Sequence, residues 1–189
     1  RQRQMCIRDR CMAIGYLYTG GPIPISWTPF GELFSGLFMG MIIILLAFFI
    51  QTGNVNGFVV WISLPIVITI GLINMANNIR DRVKDKASGR KTLPILLGKK
   101  ASITFMAAMY ILAYLIVIFT ALFKSGGSLF YLLVLFSFPM PIKAIRRFNK
   151  NDTPASMMPA MAATGKTNTV FGILYLSLIH ISEPTRPRL

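Results

Sequence analysis

Two aspartates four residues apart give the clearest chemical signal in this sequence. They are Asp81 and Asp85, in the run NNIRDRVKD of residues 77–85. On a helix this spacing places both carboxylates on one face, with Cβ atoms about 6 Å apart, and Asn78 falls on the same face. Proteins bind Mg²⁺ through one or two carboxylates together with phosphate oxygens of a substrate. We therefore predict that Asn78, Asp81 and Asp85 form a magnesium site that also faces phosphate.

Basic side chains flank the two acids in the sequence. Arg80, Lys84, Arg90 and Lys91 could balance the remaining charge of a bound phosphate group. Taken alone, the pattern N-x-x-D-x-x-x-D is more typical of a solvated helix surface that carries salt bridges. Its position at the end of an apolar helix, within a strongly basic loop, favours the phosphate site.

The elements that would position this site are membrane-spanning helices. The 189 residues are 54% hydrophobic and 14% charged, with a mean hydropathy of +0.60, whereas soluble domains carry about 25% charged residues. Four apolar runs are each long enough to cross a hydrocarbon core of about 30 Å as a helix. These runs are Leu33–Ile50, Gly57–Ala76, Ala101–Phe123 and Gly126–Ile142.

A fifth apolar run begins near Val170, and we expect it to be truncated. Because lipid offers no partner to unpaired backbone groups, all of these runs must be helical. The predicted fold class is therefore all-α, a polytopic transmembrane helix bundle with about four full spans and part of a fifth. A buried core of a soluble protein is the less favoured interpretation of so many apolar runs.

The distribution of Lys and Arg predicts the orientation. Basic residues crowd residues 80–100, between the second and third runs, and residues 143–166, after the fourth, while the other connections contain only Lys124. Lys and Arg accumulate in cytoplasmic loops, so we expect the aspartate loop on the cytoplasmic side. Attraction to anionic lipid would account for the lysines as well, but it does not account for the acids among them.

The two ends of the chain differ in character from the rest. Residues 1–10 (RQRQMCIRDR) and 177–189 (SLIHISEPTRPRL) resemble translated adapter DNA, so we treat them as foreign and residues 11–176 as one domain. The single histidine, His180, and Cys6 lie in these ends. Cys11 alone supports neither a disulfide nor a thiolate metal site.

Three stretches of the sequence together resemble one protein family. Residues 77–97 (NNIRDRVKDKASGRKTLPILL) are similar to the second aspartate-rich motif of the UbiA superfamily of intramembrane prenyltransferases. Residues 18–22 (YTGGP) and 28–33 (TPFGEL) resemble the loop before the fifth helix in the branch that prenylates 1,4-dihydroxy-2-naphthoate in menaquinone biosynthesis. Residues 164–169 (TGKTNT) resemble the entry to the last helix of that branch. The resemblance extends over residues 12–176.

The resemblance implies a fold of nine helices, of which this chain would be the C-terminal part, in a bacterial cytoplasmic membrane. It also implies that Mg²⁺ binds the diphosphate of a polyprenyl diphosphate donor. The diphosphate leaves, and the aromatic acceptor attacks the allylic cation. The expected partners are thus polyprenyl diphosphate, 1,4-dihydroxy-2-naphthoate and the lipid bilayer, with no nucleic acid.

The resemblance also assigns roles to individual residues. Asp81 and Asp85 would be the catalytic acids and, with Asn78, the metal ligands. Three basic residues and Asn78 would bind the diphosphate, and two residues before the fifth helix of the family would contact the acceptor, as Glu32 also could. The basic residues are Lys84, Arg90 and Lys91, and the two acceptor residues are Tyr18 and Thr19.

The sequence departs from the family in one respect. The first motif, N-D-x-x-D-x-x-x-D, does not occur in it, and we expect this polypeptide to be inactive by itself. Other aromatic prenyltransferases of the superfamily remain open as alternatives. A transporter fragment is disfavoured because the spans contain no ionisable residue near their middle, and a CDP-alcohol phosphotransferase because Asp81–Arg90 does not match its D-x-x-D-G-x-x-A-R pattern.

Two further segments receive structural interpretations. The methionine-rich stretch 157–161 (MMPAM) lies between basic residues and near Pro154, so we expect a mobile or interfacial loop there. Trp27 is close to the end of an apolar run, which is typical of the aromatic belt at a membrane interface.

Overall fold

The computed structural model describes residues 2–22, 24–124 and 129–182. Within these ranges the chain forms helices and no strands, so the predicted all-α membrane bundle is confirmed. Helix α1 spans Gln2–Thr19, and a short 3-10 turn spans Ile25–Trp27. Helix α2 spans Gly31–Thr52 and contains a π-helical segment over Leu37–Ile42. Helix α3 spans Gly57–Ala87.

The second half of the chain adds further helical elements. Helix α4 spans Leu93–Leu97 and α5 spans Lys99–Phe123. A 3-10 helix over Leu129–Ser137 precedes α6. Helix α6 spans Pro139–Lys150, and α7 spans Pro154–Ser182.

Within the described residues, three of the helices are long and apolar enough to cross a membrane. They are α2, α3 and α5, and their most apolar windows have mean hydropathies of 2.7, 2.2 and 2.4. Only 11% of that window in α2 is buried, against 39% in α3 and in α5. Apolar side chains that are exposed over such a length fit a lipid environment. The first three predicted spans are therefore present, and α3 continues past its apolar run to Ala87.

The fourth apolar run has a different structure from the single helix that we predicted. Its described part is divided between the 3-10 helix Leu129–Ser137 and α6, which begins at Pro139. Proline has no N–H and is accepted in the first turn of a helix but not in its interior. Pro139 and Pro141 therefore place a helix start within residues 126–142.

Helix α7 begins at Pro154, well before Val170, so the interpretation of residues 157–161 as a loop was wrong. Thr153 and Ser156 cap the new helix, since each backbone N–H donates to the hydroxyl of the other residue at 3.3 Å. Such a reciprocal cap starts a helix efficiently. Met157 is then 3% exposed and packs in the core with Phe148 of α6.

Helices α3, α5, α6 and α7 share an apolar core near the C-terminal end of α3. Its members come from all four helices and include Met75 and Ile79, Met106 and Phe148, each at most 2% exposed. A second cluster lies farther along the bundle, around Tyr114, Val117 and Phe171. These contacts hold the end of α3, where the acids lie, against the rest of the bundle.

Helix α2 crosses α3 at very short distance through three glycines. A Cβ atom at Gly36 would collide with the carbonyl oxygen of Val67, and one at Gly40 would lie 2.9 Å from Val67 Cα. From the other side, a Cβ atom at Gly71 would lie 2.9 Å from the carbonyl oxygen of Glu32. Small residues four apart let membrane helices approach closely. The backbones of α2 and α3 thus touch directly.

We predict that Gly36→Ala destabilises the protein by about 1–3 kcal/mol, the usual cost of an added methyl in a packed interior, because it forces the two backbones apart. Thermal unfolding in detergent would show a lower Tm. Gly172→Ala in α7 is the matched control. Apart from the backbone of its own helix and its two neighbours in the chain, no atom of the described residues lies within 4 Å of its added Cβ, and Ala is favoured over Gly in a helix. Equal Tm values for the two variants would contradict the close crossing.

Candidate functional site

The predicted acidic motif lies on one continuous helix, as the spacing required. Helix α3 continues through residues 77–87 and ends at Ala87, where Ser88 and then Gly89, with φ of +78°, turn the chain. Only glycine adopts such a φ without strain. The chain then returns through residues 90–92 toward the segment before α2. The site is therefore built by the end of α3, the turn after it and the start of α2.

Asp85 is buried and paired with an arginine. Its side chain is 9% exposed, and its Oδ1 lies 3.3 Å from Nη1 of Arg90. The guanidinium of Arg90 lies 5.5 Å above the ring centre of Trp27, and the N–H of Lys91 donates to the carbonyl of Trp27 at 2.8 Å. Burial of Asp85 excludes the alternative of a fully solvated salt bridge for this residue.

Asp81 is also paired with an arginine but is more accessible. Nε of Arg80 donates to Oδ1 at 2.7 Å, and the second oxygen contacts Nη2 of the same residue at 2.5 Å. Arg80 is itself held by Met161 of α7, whose sulfur lies 3.0 Å from Nη1. Planar two-point pairing of this kind also suits phosphate.

Asn78, the third predicted ligand, is 8% exposed and contacts α2. Its Nδ2 donates to Oε1 of Glu32 at 2.8 Å. Glu32 is equally buried, at 8%. Its side chain therefore faces α3 and has little exposed surface for the expected contact with the acceptor. Its second oxygen, Oε2, has no hydrogen-bond partner among the described residues.

The residues expected to contact the acceptor occupy the neighbouring turn. Tyr18 is half-buried, and its hydroxyl accepts from Nδ2 of Asn74 at 3.3 Å and donates to the carbonyl of Gly31 at 3.4 Å. Asn74 lies one turn before Asn78 on α3. Thr19 is exposed at the end of α1. The structure thus brings Tyr18 to the same face of α3 as the acidic motif.

The remaining basic residues border the site without being buried in it. Lys84 and Lys91 are exposed, and Arg90 is half-buried. Next to Lys91, the hydroxyl of Thr92 is buried and has no partner among the described residues. The two unpaired oxygens, of Thr92 and Glu32, are thus both in the segments that surround the acids.

The donor set fits a hard cation bound together with phosphate. Within the described residues no three His, Cys, Asp or Glu side chains form a group that could enclose a metal ion alone. Two carboxylates and an amide oxygen on one helix face do, however, match how Mg²⁺ is bound beside substrate phosphate. Asn78, Asp81 and Asp85 would hold the ion, and the arginines would hold phosphate oxygens.

The two basic segments lie at the same end of the bundle. Nζ of Lys99 donates to the carbonyl of Asn151 at 2.7 Å and to Oδ1 of Asp152 at 2.6 Å. This hydrogen bond from Lys99 lowers the pKa of the exposed Asp152 carboxyl below its usual range. The contact joins residues 80–100 to residues 143–166, as a single membrane side requires.

Sequence reasoning gave two residues of this site other roles. Trp27, assigned to the aromatic belt, forms the surface on which Arg90 lies, and Arg80 pairs directly with Asp81 rather than only adding charge. The contact of Trp27 with Arg90 has no signal in sequence spacing, since the two residues are far apart in the chain. An acid directly before an apolar run was the available signal for Glu32.

Comparison with known proteins agrees with the geometry. The UbiA prenyltransferase family matches residues 11–176. The chain is 51% identical over 164 residues to "1,4-dihydroxy-2-naphthoate octaprenyltransferase" of Bacillus subtilis (strain 168), covering 86% of this chain and 52% of that protein. It is 32% identical over 165 residues to "UbiA prenyltransferase domain-containing protein 1 homolog" of Drosophila melanogaster, covering 87% and 44%.

A more distant relative carries the same name as the first. The "1,4-dihydroxy-2-naphthoate octaprenyltransferase" of Mycobacterium leprae (strain TN) is 25% identical over 171 residues, covering 86% of this chain and 54% of that protein. The chain thus spans about half the length of the curated relatives it matches. Enzymes of this family generally use a divalent metal ion. Because the family match extends over residues 11–176 and three helices are suited to cross a membrane, the chain belongs to the UbiA prenyltransferase family of integral membrane proteins.

Proposed function

We propose that this chain supplies the second acidic half-site of an enzyme that transfers a polyprenyl group from polyprenyl diphosphate to 1,4-dihydroxy-2-naphthoate. One observation carries the proposal. Asp81 and Asp85 lie at the end of a membrane helix, each paired with an arginine, in a chain 51% identical to a protein named for this reaction. Carboxylates and guanidinium groups side by side match the two components of a metal diphosphate.

The chemistry follows from the charges at the site. A divalent ion, which we propose to be Mg²⁺, would lower the charge of the leaving diphosphate as a Lewis acid. Asp81, Asp85 and Asn78 would bind this ion. Arg80 and Arg90 would then exchange their carboxylate partners for phosphate oxygens, with Lys84 and Lys91 adding charge at the exposed edge. The carbon–oxygen bond to the diphosphate breaks, and the diphosphate leaves with the electron pair. A ring carbon of the acceptor then forms the new carbon–carbon bond with the allylic cation, and the ring loses its carboxylate as CO₂ and becomes aromatic again.

The rest of the bundle would serve the two substrates. Tyr18, whose hydroxyl contacts Asn74 one turn before the acidic motif, and Thr19, which follows it at the end of α1, would contact the acceptor. The apolar helices α2, α3 and α5 would accommodate the polyprenyl tail and keep water from the allylic cation. We also propose that this site faces the cytoplasm of a bacterial cell, because both basic segments are at this end of the bundle.

Loss of one acid is the first test. We predict that Asp85→Asn or Asp81→Asn lowers kcat by about 10²-fold or more, the usual loss when one group that stabilises developing charge is removed. The chain would be joined behind the N-terminal half of the Bacillus subtilis relative and assayed in membranes with the diphosphate donor and naphthoate. Asp152→Asn, an exposed acid at the same end, should leave the rate unchanged.

Three outcomes of that assay are informative. The unjoined chain should show no turnover. Full activity of the Asp85→Asn enzyme would contradict the assigned role of the motif. Turnover with another aromatic acceptor, but not with naphthoate, would keep the prenyltransferase and reject the substrate.

Metal removal gives the second test. We predict that EDTA abolishes activity of the joined enzyme and that Mg²⁺ restores it, because oxygen ligands and phosphate favour this ion. Ca²⁺ should restore little, since it prefers more ligands at longer distances. Activity that survives complete chelation would contradict a metal-dependent reaction at these acids.

Orientation can be tested by labelling single cysteines. After Cys6 and Cys11 are replaced by serine, Ser88→Cys at the end of α3 and Thr52→Cys at the end of α2 place one exposed thiol at each end of the bundle. We predict that a membrane-impermeant maleimide added to intact cells labels residue 52 and not residue 88. The opposite labelling would reverse the proposed orientation.

A further inference from the structure

Glu32 is a buried acid at the start of a membrane helix, and its side chain faces the acidic motif. It lies in the first turn of α2 and is 8% exposed. Its Oε1 accepts the hydrogen bond from Nδ2 of Asn78 at 2.8 Å. Burying a carboxylate is costly unless it is paired, so a residue of this type at this place calls for a specific role.

The close helix crossing determines where this carboxylate lies. The backbone carbonyl of Glu32 lies directly against Gly71 of α3, where a Cβ atom would not fit. One turn later, Gly36 contacts the backbone of α3 at Val67. The two helices therefore meet backbone to backbone at these glycines. The relation between Glu32 and Asn78 is therefore set by backbone packing, and the side chains need little adjustment to meet.

The hydrogen bond decides which end of the Asn78 amide faces the motif. Nδ2 of Asn78 donates to Oε1 of Glu32, so the NH₂ group is the end of the amide that points to Glu32. The carbonyl oxygen Oδ1 is then the end left for the other side. Oxygen, and not the NH₂ group, is what a hard cation binds. Partners behind the direct ligands often fix their orientation in this way, and their loss typically weakens metal binding by roughly 10- to 100-fold.

We propose that Glu32 is a positioning residue that, through its hydrogen bond to Asn78, presents the Asn78 carbonyl oxygen to the metal diphosphate. This inference rests on the proposed function, because it takes Asn78 to be a ligand of that site. It assigns to Glu32 neither a direct contact with the acceptor nor a purely structural role at the helix crossing.

The test measures metal binding rather than turnover. The purified chain in detergent is titrated with Mn²⁺, a paramagnetic stand-in for Mg²⁺, in the presence of inorganic diphosphate, and free Mn²⁺ is counted by electron paramagnetic resonance. Glu32→Ala should weaken binding about 10- to 100-fold. Glu32→Gln should bind like the unmodified chain, because its amide oxygen still accepts from Asn78.

A substitution at Asn78, the hydrogen-bond partner of Glu32, should change the effect of Glu32→Gln on Mn²⁺ binding. Asn78→Asp places a carboxylate against Glu32, and like charges repel. In that background Glu32→Gln should strengthen Mn²⁺ binding, since the introduced side-chain amide can donate to one oxygen of the new carboxylate and leave the other for the ion. Ser63→Ala is the control: it removes a buried hydroxyl of α3 that donates to the carbonyl of Val60 in the same helix, and it should leave binding unchanged.

Each result decides between alternatives. Equal weakening by Glu32→Ala and Glu32→Gln, or weaker binding in the double variant than in Asn78→Asp alone, would overturn positioning and make Glu32 a direct ligand. Unchanged binding in Glu32→Ala, with only a lower Tm, would leave a structural role alone. If Asp85→Asn binds Mn²⁺ as well as the unmodified chain does, the proposed site itself fails, and the inference fails with it.

Discussion

The direct contact between the backbones of α2 and α3 is the constraint on which the site depends. Gly36 and Gly40 on one helix meet Val67 on the other, and Gly71 meets the backbone of Glu32. Lipid provides no hydrophobic force between helices, so close packing of small residues must hold them together. Because this crossing is backbone against backbone, it also fixes the first turn of α2 against the last turns of α3, where the polar chemistry is concentrated.

Charge at this end of the bundle is balanced within short distances. Asp81 and Asp85 each have an arginine, and Lys99 pairs with Asp152. Removing the partner of Asp85, which is buried, would leave an uncompensated charge. The acids and arginines of the site are best understood as a set of exchangeable pairs. A ligand that brings both a divalent cation and phosphate oxygens can replace each of these carboxylate–arginine contacts with an equivalent one. Few other ligands supply both kinds of partner.

The departures from prediction have local physical causes. Hydropathy predicts one span over the fourth apolar run because a hydropathy average does not depend on where prolines lie. In the structure a new helix begins at Pro139 within this run. A loop was predicted over residues 157–161 because prolines and charged residues, which are typical of loops, lie in and around this segment. In the structure Pro154 occupies the first turn of α7, and the apolar side of Met157 is covered by α6. Tertiary packing overrode the local signal in this segment.

The sequence by itself determined the membrane class, the helical fold, the first three spans and the positions of the acids, because hydropathy and spacing along one helix are local properties. It also placed Asn78, Asp81 and Asp85 on one face, since a helix repeats every 3.6 residues. Only the tertiary structure decided what Asn78 and Asp85 contact. The pairing of Asn78 with Glu32 and the position of Arg90 on Trp27 each join segments that are distant in the chain, and the burial of Asp85 depends on the same packing. Such contacts depend on how closely the helices approach, and that distance follows from packing between surfaces rather than from any spacing along the chain.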